Sequence, residues 1–336
     1  MSAHALSLQG MFLSKGVPCN IPARRAQDTT RRRSTGSARD AFTCPQVVGR
    51  VKVPQCCCSN QQISGTDSNR WADVQTADEL VLRLADVLAT SHKLSNTRVI
   101  AGVAGAPGSG KSTMARHLRE RVNEALNSRN ACVVVPMDGY HTRRADLNRM
   151  ENATLANARR GAHWTFDADR FADGVERLAS AYEKGDVRLP SFDHGVGDPV
   201  DDDVLVPSSA PVVIVEGLYL YLTDDARTSA GEQEFEGGDD GVGCAVDVRV
   251  SPAWQRASKC MQHKFFIDAD VDGCMRRVRK RHLAAWGPKS NNPVKRSVEE
   301  IDERVKANDA RNAILVYETI RTKDVVALPF LPLSRP

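Results

Sequence analysis

The octapeptide Gly105-Ala106-Pro107-Gly108-Ser109-Gly110-Lys111-Ser112 follows directly on the apolar run Val99 to Ala104. After it, Met114, Leu118, Val122 and Leu126 recur at four-residue spacing, the signature of one buried helix face. Strand, glycine-rich turn and helix in that order make a phosphate-binding loop: the glycines let successive backbone N–H groups turn inward around an anion, and the helix start adds its dipole. The residue types fit ATP with Mg2+, since Lys111 reaches the outer phosphates and Ser112 holds the metal, with Thr113 completing the segment.

A loop of this kind needs a parallel sheet behind it, and the chain supplies candidate strands. Ala131 to Val135, Val212 to Val215, Phe265 to Ile267 and Val325 to Leu328 are short apolar runs without polar alternation, separated by helical segments. Such runs predict an α/β fold of the P-loop NTPase type, a parallel sheet with helices on both faces. Ala77, Leu80, Val81, Leu84, Val87 and Leu88 predict an amphipathic helix at the start of the folded domain, which is expected to span about residues 70–330.

Ahead of it, residues 1–65 read as a leader. Residues 1–60 hold nine Lys or Arg against Asp28 and Asp40, a net of +7, whereas the whole chain carries +4, so the remainder is −3. The leader is rich in Arg, Ser and Thr and lacks a contiguous apolar core, as in a transit peptide to a plastid, with a mitochondrial address or a cytoplasmic basic tail as the alternatives. A slightly acidic remainder gives no electrostatic reason to expect a nucleic-acid partner. No apolar run reaches membrane-spanning length, because Glu216 interrupts the strongest, Val212 to Leu222. Four cysteines (Cys132, Cys244, Cys260, Cys274) remain for the folded part, too few for a disulfide framework. Residues 224–243, dominated by Asp, Glu, Gly, Ser and Thr, read as an inserted acidic loop. Oligomeric state is not legible.

Phosphoryl transfer asks for positioning and charge stabilisation, hence for an acid near the metal, an acid near the acceptor hydroxyl and mobile cations. Glu216 ends the strand Val212 to Val215 and would project beyond the carboxyl edge of the sheet, where it can hold metal-bound water; a solvated acid at a strand end is the plain alternative. Asp138, in Pro136-Met137-Asp138-Gly139-Tyr140-His141, follows the strand Ala131 to Val135, taken as the neighbour of the loop's own strand. There it can take the acceptor's proton, although Asp-Gly also suits an ordinary turn. Arg276, Arg277, Arg279, Lys280 and Arg281 lie off an apolar stripe formed by Val271, Met275 and Val278, and Arg277 and Arg281 share a helix face. A solvated basic face would look the same.

In this order, the phosphate loop, PMDGYH, RRGAHWTFD (159–167), LPSFDH (189–194), VVIVEGLYL (212–220) and FFIDAD (265–270) resemble the phosphoribulokinase/uridine kinase family. The likeness runs from about residue 77 to 328 and is strongest to the uridine kinase-like and bacterial pantothenate kinase-like branch. It implies an ATP-dependent kinase of a small-molecule hydroxyl, such as a uridine- or cytidine-type nucleoside, a pantothenate-like acceptor or a sugar phosphate. It further implies Asp138 as the acceptor-activating acid, Glu216 at the metal, and an arginine-bearing lid helix carrying Arg277 and Arg281. Tyr140, His141, Asp167, Asp193 and His194 become acceptor-site candidates, each of which could equally be a turn or surface residue. His163 departs from the branch, which usually shows proline there, and the acidic insertion lengthens the connection after Leu222. Asn308, Asp309, Arg311 and Asn312 resemble an ND-x-x-N pattern with no role readable from sequence.

Against a GTPase switch stands the absence of an Asn-Lys-x-Asp tetrapeptide. A non-catalytic ATP-binding module would be expected to have lost Lys111 or one of the acids, and all three are present. A fluorescent protein fused behind residues 1–65 should accumulate in plastids; a signal that stays in the cytosol would mark the segment as a basic tail.

Overall fold

A computed structural model describes residues 71, 73–193, 195–223, 233–236, 244–247, 249–293, 295–318 and 324–332, all within the compact unit Cys58–Pro336. The leader, His194 and much of the acidic insertion lie outside these residues.

Helix α1 (Ala77–Ser95) starts where the Thr76 side chain accepts from the Glu79 amide and ends at Asn96, whose left-handed φ of 52° closes the turn. Strand β1 (Val99–Gly105), buried throughout, leads through the phosphate loop into α2 (Lys111–Ala125). The chain continues through β2 (Cys132–Pro136), a 3-10 turn at Met137–Tyr140, the short helices α3 (Arg144–Leu147) and α4 (Ala153–Ala158), a second 3-10 turn at His163–Thr165 and α5 (Ala168–Ser180). An antiparallel hairpin of β3 (Val187–Asp193) and β4 (Asp198–Val206) precedes β5 (Val212–Gly217). Next come β6 (Gln233–Glu236) and β7 (Cys244–Asp247), paired antiparallel, so the insertion is not the wholly irregular loop that its composition predicts. Glu234, Phe235 and Glu236 alternate polar and apolar residues, the two-residue period a strand accepts. The remainder is α6 (Ala253–Lys259), β8 (His263–Asp268), α7 (Val271–Trp286), α8 (Val298–Arg304), a π-helical turn at Val305–Asp309, α9 (Ala310–Glu318) and β9 (Val326–Pro329).

The central five-stranded sheet has the order β2-β5-β1-β8-β9, and every pairing in it is parallel. Alternate strand residues feed two cores. Ile100, Ala104, Val213, Val215 and Phe266 pack on one face with Phe171 and Val175 of α5 and Trp254 of α6. Val99, Ala101, Val103, Val212, Ile214 and Ile267 pack on the other with Leu80 and Leu84 of α1 and Met114 and Leu118 of α2. Both faces being covered is why these strands read as continuous apolar runs.

One expectation is corrected. β2 lies at the edge, and β5 stands between it and β1, so Glu216 rather than Asp138 belongs to the strand beside the phosphate loop's own. Strand order is a matter of crossover connections, which apolar runs do not encode.

β1 accepts no side chain at Gly102: a Cβ there would run into the Tyr221 hydroxyl and would lie 2.8 Å from the Met261 sulfur. That hydroxyl is fixed, accepting from the Phe265 amide at 3.0 Å and donating to the Phe265 carbonyl at 3.2 Å. Gly102→Ala should therefore cost about 1–3 kcal/mol in urea unfolding; a variant as stable as the parent would show that the tyrosine yields freely.

Candidate active site

The parallel register assembles the site. Glu216 pairs with Val103 of β1 on one side and with Pro136 of β2 on the other, so its carboxylate emerges between the phosphate loop and the turn carrying Asp138. In the loop, Gly108 and Gly110 have φ of +80° and +87°, the left-handed region in which a side chain is strained. Gly108 is needed twice over, because a Cβ there would sit 2.5 Å from the Cys274 carbonyl of α7. Helix α2 has no side-chain cap and no acid in its first turn, unlike α1, α5, α7 and α8. Its first-turn N–H groups and positive dipole end are thus left for an external anion. Loop and helix fit a polyphosphate.

Ser112 Oγ donates to Glu216 Oε1 at 3.1 Å. The carboxylate is only 7% exposed, and its second oxygen is buried with no hydrogen-bond partner. Burial pushes the Glu216 pKa up to about 7, against the nearby Lys111 ammonium; Asp138 raises it further, and the Ser112 hydrogen bond lowers it. A buried carboxylate oxygen lacking a partner, next to a hydroxyl, suits a hydrated divalent cation. Among the described residues no three His, Cys, Asp or Glu side chains converge as a metal cage. Magnesium bound with phosphates commonly takes only one or two protein ligands and keeps its waters, so the Ser112–Glu216 pair fits it.

Arg277 reaches the loop from α7: its Nε donates to the Gly108 carbonyl at 2.6 Å, and its guanidinium lies 4.3 Å from the Phe330 ring centroid. Phe330, just beyond β9, escaped sequence reading because an aromatic after a strand carries no motif. Arg281, one turn further along α7, is exposed, with no hydrogen bond or ion pair among the described residues.

The acceptor candidates separate. His141 is half-buried, its ring between Phe166 at 4.0 Å and Phe192 at 4.8 Å and its Nδ1 2.8 Å from the Asp138 carbonyl, which places it beside the candidate base. Tyr140 is instead part of the core: it is 2% exposed, packs edge-on against Phe171, and has its pKa raised to about 12 by burial. Asp167 caps α5 by accepting from the Arg170 amide at 2.9 Å. Asp193 closes the β3–β4 turn by accepting from the amides of Gly195 and Val196. Each acid thus spends one oxygen, Oδ1, on capping or turn closure. His194 lies outside the described residues. His163 is buried edge-on to Tyr219, so its departure from the branch pattern is taken up inside the packing.

The ND-x-x-N residues acquire a role. Asn308 Nδ2 donates to the Arg160 carbonyl and Asn312 Nδ2 to the Gly161 carbonyl, each at 3.1 Å, while Arg159 donates to Asn308 and to the Ala307 carbonyl. Tyr219, three residues past Glu216, donates to the same Gly161 carbonyl at 2.8 Å. Asp309 meets His282 at 3.2 Å. The π-helical turn thus clamps the Arg159–Gly161 segment to the sheet edge that carries the site.

A carboxyl group whose pKa is raised on folding favours the fold while protonated: that contribution is complete below its ordinary value of 4.5 and is lost as pH rises through about 7. Glu216→Gln cannot ionise. Without nucleotide it should match the parent's stability near about pH 4.5 and exceed it by a few kcal/mol near about pH 8. A stability difference independent of pH would contradict burial as the cause.

The model of the phosphoribulokinase/uridine kinase family matches residues 99–229. A Schizosaccharomyces pombe protein with the provisional name uridine kinase C227.14 is 34% identical over 254 residues, covering 76% of this chain and 91% of its own length. YFH7 of Saccharomyces cerevisiae, provisionally described as a P-loop containing kinase with a circular permutation, superposes with a TM-score of 0.57 at 19% identity, covering 74% of this chain and 98% of that one. A Silicibacter sp. TM1040 protein, provisionally a fructose transport system kinase, gives 0.53 at 21% identity, with 73% and 98% covered. The two structures speak for the α/β fold alone. With the fission-yeast relative, the family model and the phosphate loop in agreement, this chain belongs to the phosphoribulokinase/uridine kinase family of P-loop kinases.

Proposed function

We propose that this protein transfers the terminal phosphoryl group of ATP to a hydroxyl of a small metabolite. The observation that carries this reading is the meeting of Lys111, Ser112, Asp138 and Glu216 at one sheet edge: Ser112 bonds Glu216, and both Lys111 and Asp138 act on its charge. Magnesium, held by the Ser112 hydroxyl and through water by Glu216, would neutralise charge on the outer phosphates. The chain's own groups do the rest. The inward amides of Gly105 to Thr113 orient the phosphates, and Lys111 balances their charge. Asp138, half-buried at the start of its 3-10 turn, accepts a hydrogen bond from the acceptor hydroxyl and takes its proton as the oxygen attacks. Arg277, already at the loop, supplies a cation as negative charge spreads over the moving group; Arg281 joins it only if the α7 face closes further.

Within this reading the acceptor is a nucleoside of the uridine or cytidine type or a pantothenate-like hydroxy compound, which the name of the fission-yeast relative and the aromatic cluster of His141, Phe166 and Phe192 support. No nucleic-acid or membrane partner is part of it, and among the described residues no helix is long and apolar enough to cross a membrane. The Arg-rich leader supports placing the activity in plastids.

ADP release by the full chain against a metabolite panel, with Lys111→Ala as the inactive control, tests the proposal. Asp138→Asn should lower kcat by about 10²–10⁴-fold while leaving the Kd for ATP within about twofold. Retained turnover in Asp138→Asn would remove this residue from the mechanism.

A further inference from the structure

The kinase reading leaves the charge of the acceptor open, and the arginines around the Arg159–Gly161 segment bear on it. Arg304, at the end of α8, has its Nε buried with no hydrogen-bond partner. Burial acts chiefly against its charge; of the charged groups that act on it, Asp309 alone is negative, whereas Arg296, Arg159 and Arg144 are positive. Asp309 is already engaged by His282. Arg159 is held by Asn308 and the Ala307 carbonyl.

Arg160 is anchored to the Gly197 and Thr142 carbonyls and to Asp198, yet its buried Nε too lacks a partner. Arg144, exposed at the start of α3, lays its guanidinium against Gly197, where an added Cβ would stand 2.5 Å from Nη2.

Guanidinium groups drawn together and partly out of water, with too few carboxylates, cost free energy that an apolar side chain of similar length would not. Packing therefore gives no reason for Arg304 to be an arginine. Its position gives one. Arg160 bonds the carbonyl of Thr142, four residues past Asp138, and Tyr219 ties the same segment to the strand end bearing Glu216. The cluster is thus joined to the segment of the candidate base, while the phosphate loop has its own cations in Lys111 and Arg277.

We propose that the acceptor is an anion whose carboxylate or phosphate group is received by Arg304 and Arg144 while its hydroxyl lies at Asp138. This rests on the kinase reading and narrows it, favouring a hydroxy acid or a sugar phosphate over a neutral nucleoside. Guanidinium groups bind either anion through paired N–H donors, which an ammonium cannot reproduce.

The test uses the full chain with saturating MgATP and acceptor pairs that differ by one anionic group: glycerate and glycerol, pantothenate and pantothenol, ribose 5-phosphate and ribose, with uridine added. Turnover should be confined to anionic members, and which pair responds separates carboxylate from phosphate. Arg304→Met and Arg144→Ala should each raise the acceptor KM about tenfold or more and leave the ATP KM within about twofold. Arg304→Met should also melt higher than the parent, because an unpaired buried charge is gone; a lower melting temperature would assign Arg304 to structure and overturn the proposal.

A second arm needs no turnover. With MgADP saturating the phosphate loop, inorganic phosphate should raise the melting temperature of the parent but not of Arg304→Met. Phosphorylation of uridine or another neutral acceptor with KM values indifferent to both arginine variants would overturn the anion proposal and leave the kinase reading standing. No response to phosphate in the parent would likewise overturn it. Loss of phosphoryl transfer to every acceptor, with the phosphate response intact, would instead count against the kinase reading alone.

Discussion

A carboxylate driven into the sheet edge and only half satisfied there is the constraint around which this molecule is arranged. Glu216 sits in register between β1 and β2, with a hydrogen bond from Ser112 to one oxygen and none to the other. Burying an acid in this way disfavours its charged form, so the site carries a stored preference for a cation. The parallel ladder leaves little freedom in the matter. Shifting β5 by one residue would send Glu216 to the opposite face and replace the apolar residues that fill both cores. The stability of the sheet and the placing of the acid therefore depend on one register.

Other elements hold the surrounding loops to that edge by backbone contacts. Gly108 lets α7 lie directly against the phosphate loop, and Arg277 closes the contact from the helix side. The π-helical turn at Val305–Asp309 presents Asn308, and Asn312 follows one turn later, so that both side-chain amides catch carbonyls of the Arg159–Gly161 segment. Removing the Asn308 amide would take from the Arg160 carbonyl its side-chain donor, a greater loss than that of an ordinary surface hydrogen bond, whereas the Gly161 carbonyl would still accept from Tyr219 if the Asn312 amide were lost. Helix α7, the Arg159–Gly161 segment and the phosphate loop are in this way set by a few side-chain-to-backbone contacts.

How far sequence alone reaches depends on the range of the interaction that decides each feature. The phosphate loop and the strands around Val99, Val212 and Phe265 were legible because doubly covered parallel strands carry continuous apolar runs, although the third begins two residues earlier, at the polar His263 and Lys264. The adjacency of Glu216 to β1, and the edge position of β2, were not, since strand order arises from crossovers of many residues. Asp167 and Asp193 were acceptor candidates because their segments match a family pattern; that one oxygen of each serves a helix start or a turn was visible only in the folded chain. Tyr140 likewise turned out to have its ring in the core, which nothing in the local sequence reveals. Asn308 and Asn312 were visible only as a pattern, because their partners lie about 150 residues away. The partnerless Nε atoms of Arg304 and Arg160 had no sequence signal, since a shortage of carboxylates exists only once the chain is folded.

The most direct measurement is a crystal structure of the full chain with magnesium and a non-hydrolysable ATP analogue. The account predicts the outer phosphates in the cradle of Gly105 to Thr113, with the metal at Ser112, a metal-bound water on the vacant oxygen of Glu216, and the Asp138 carboxylate facing the terminal phosphate. A nucleotide bound elsewhere, or a metal that leaves Glu216 untouched, would contradict it.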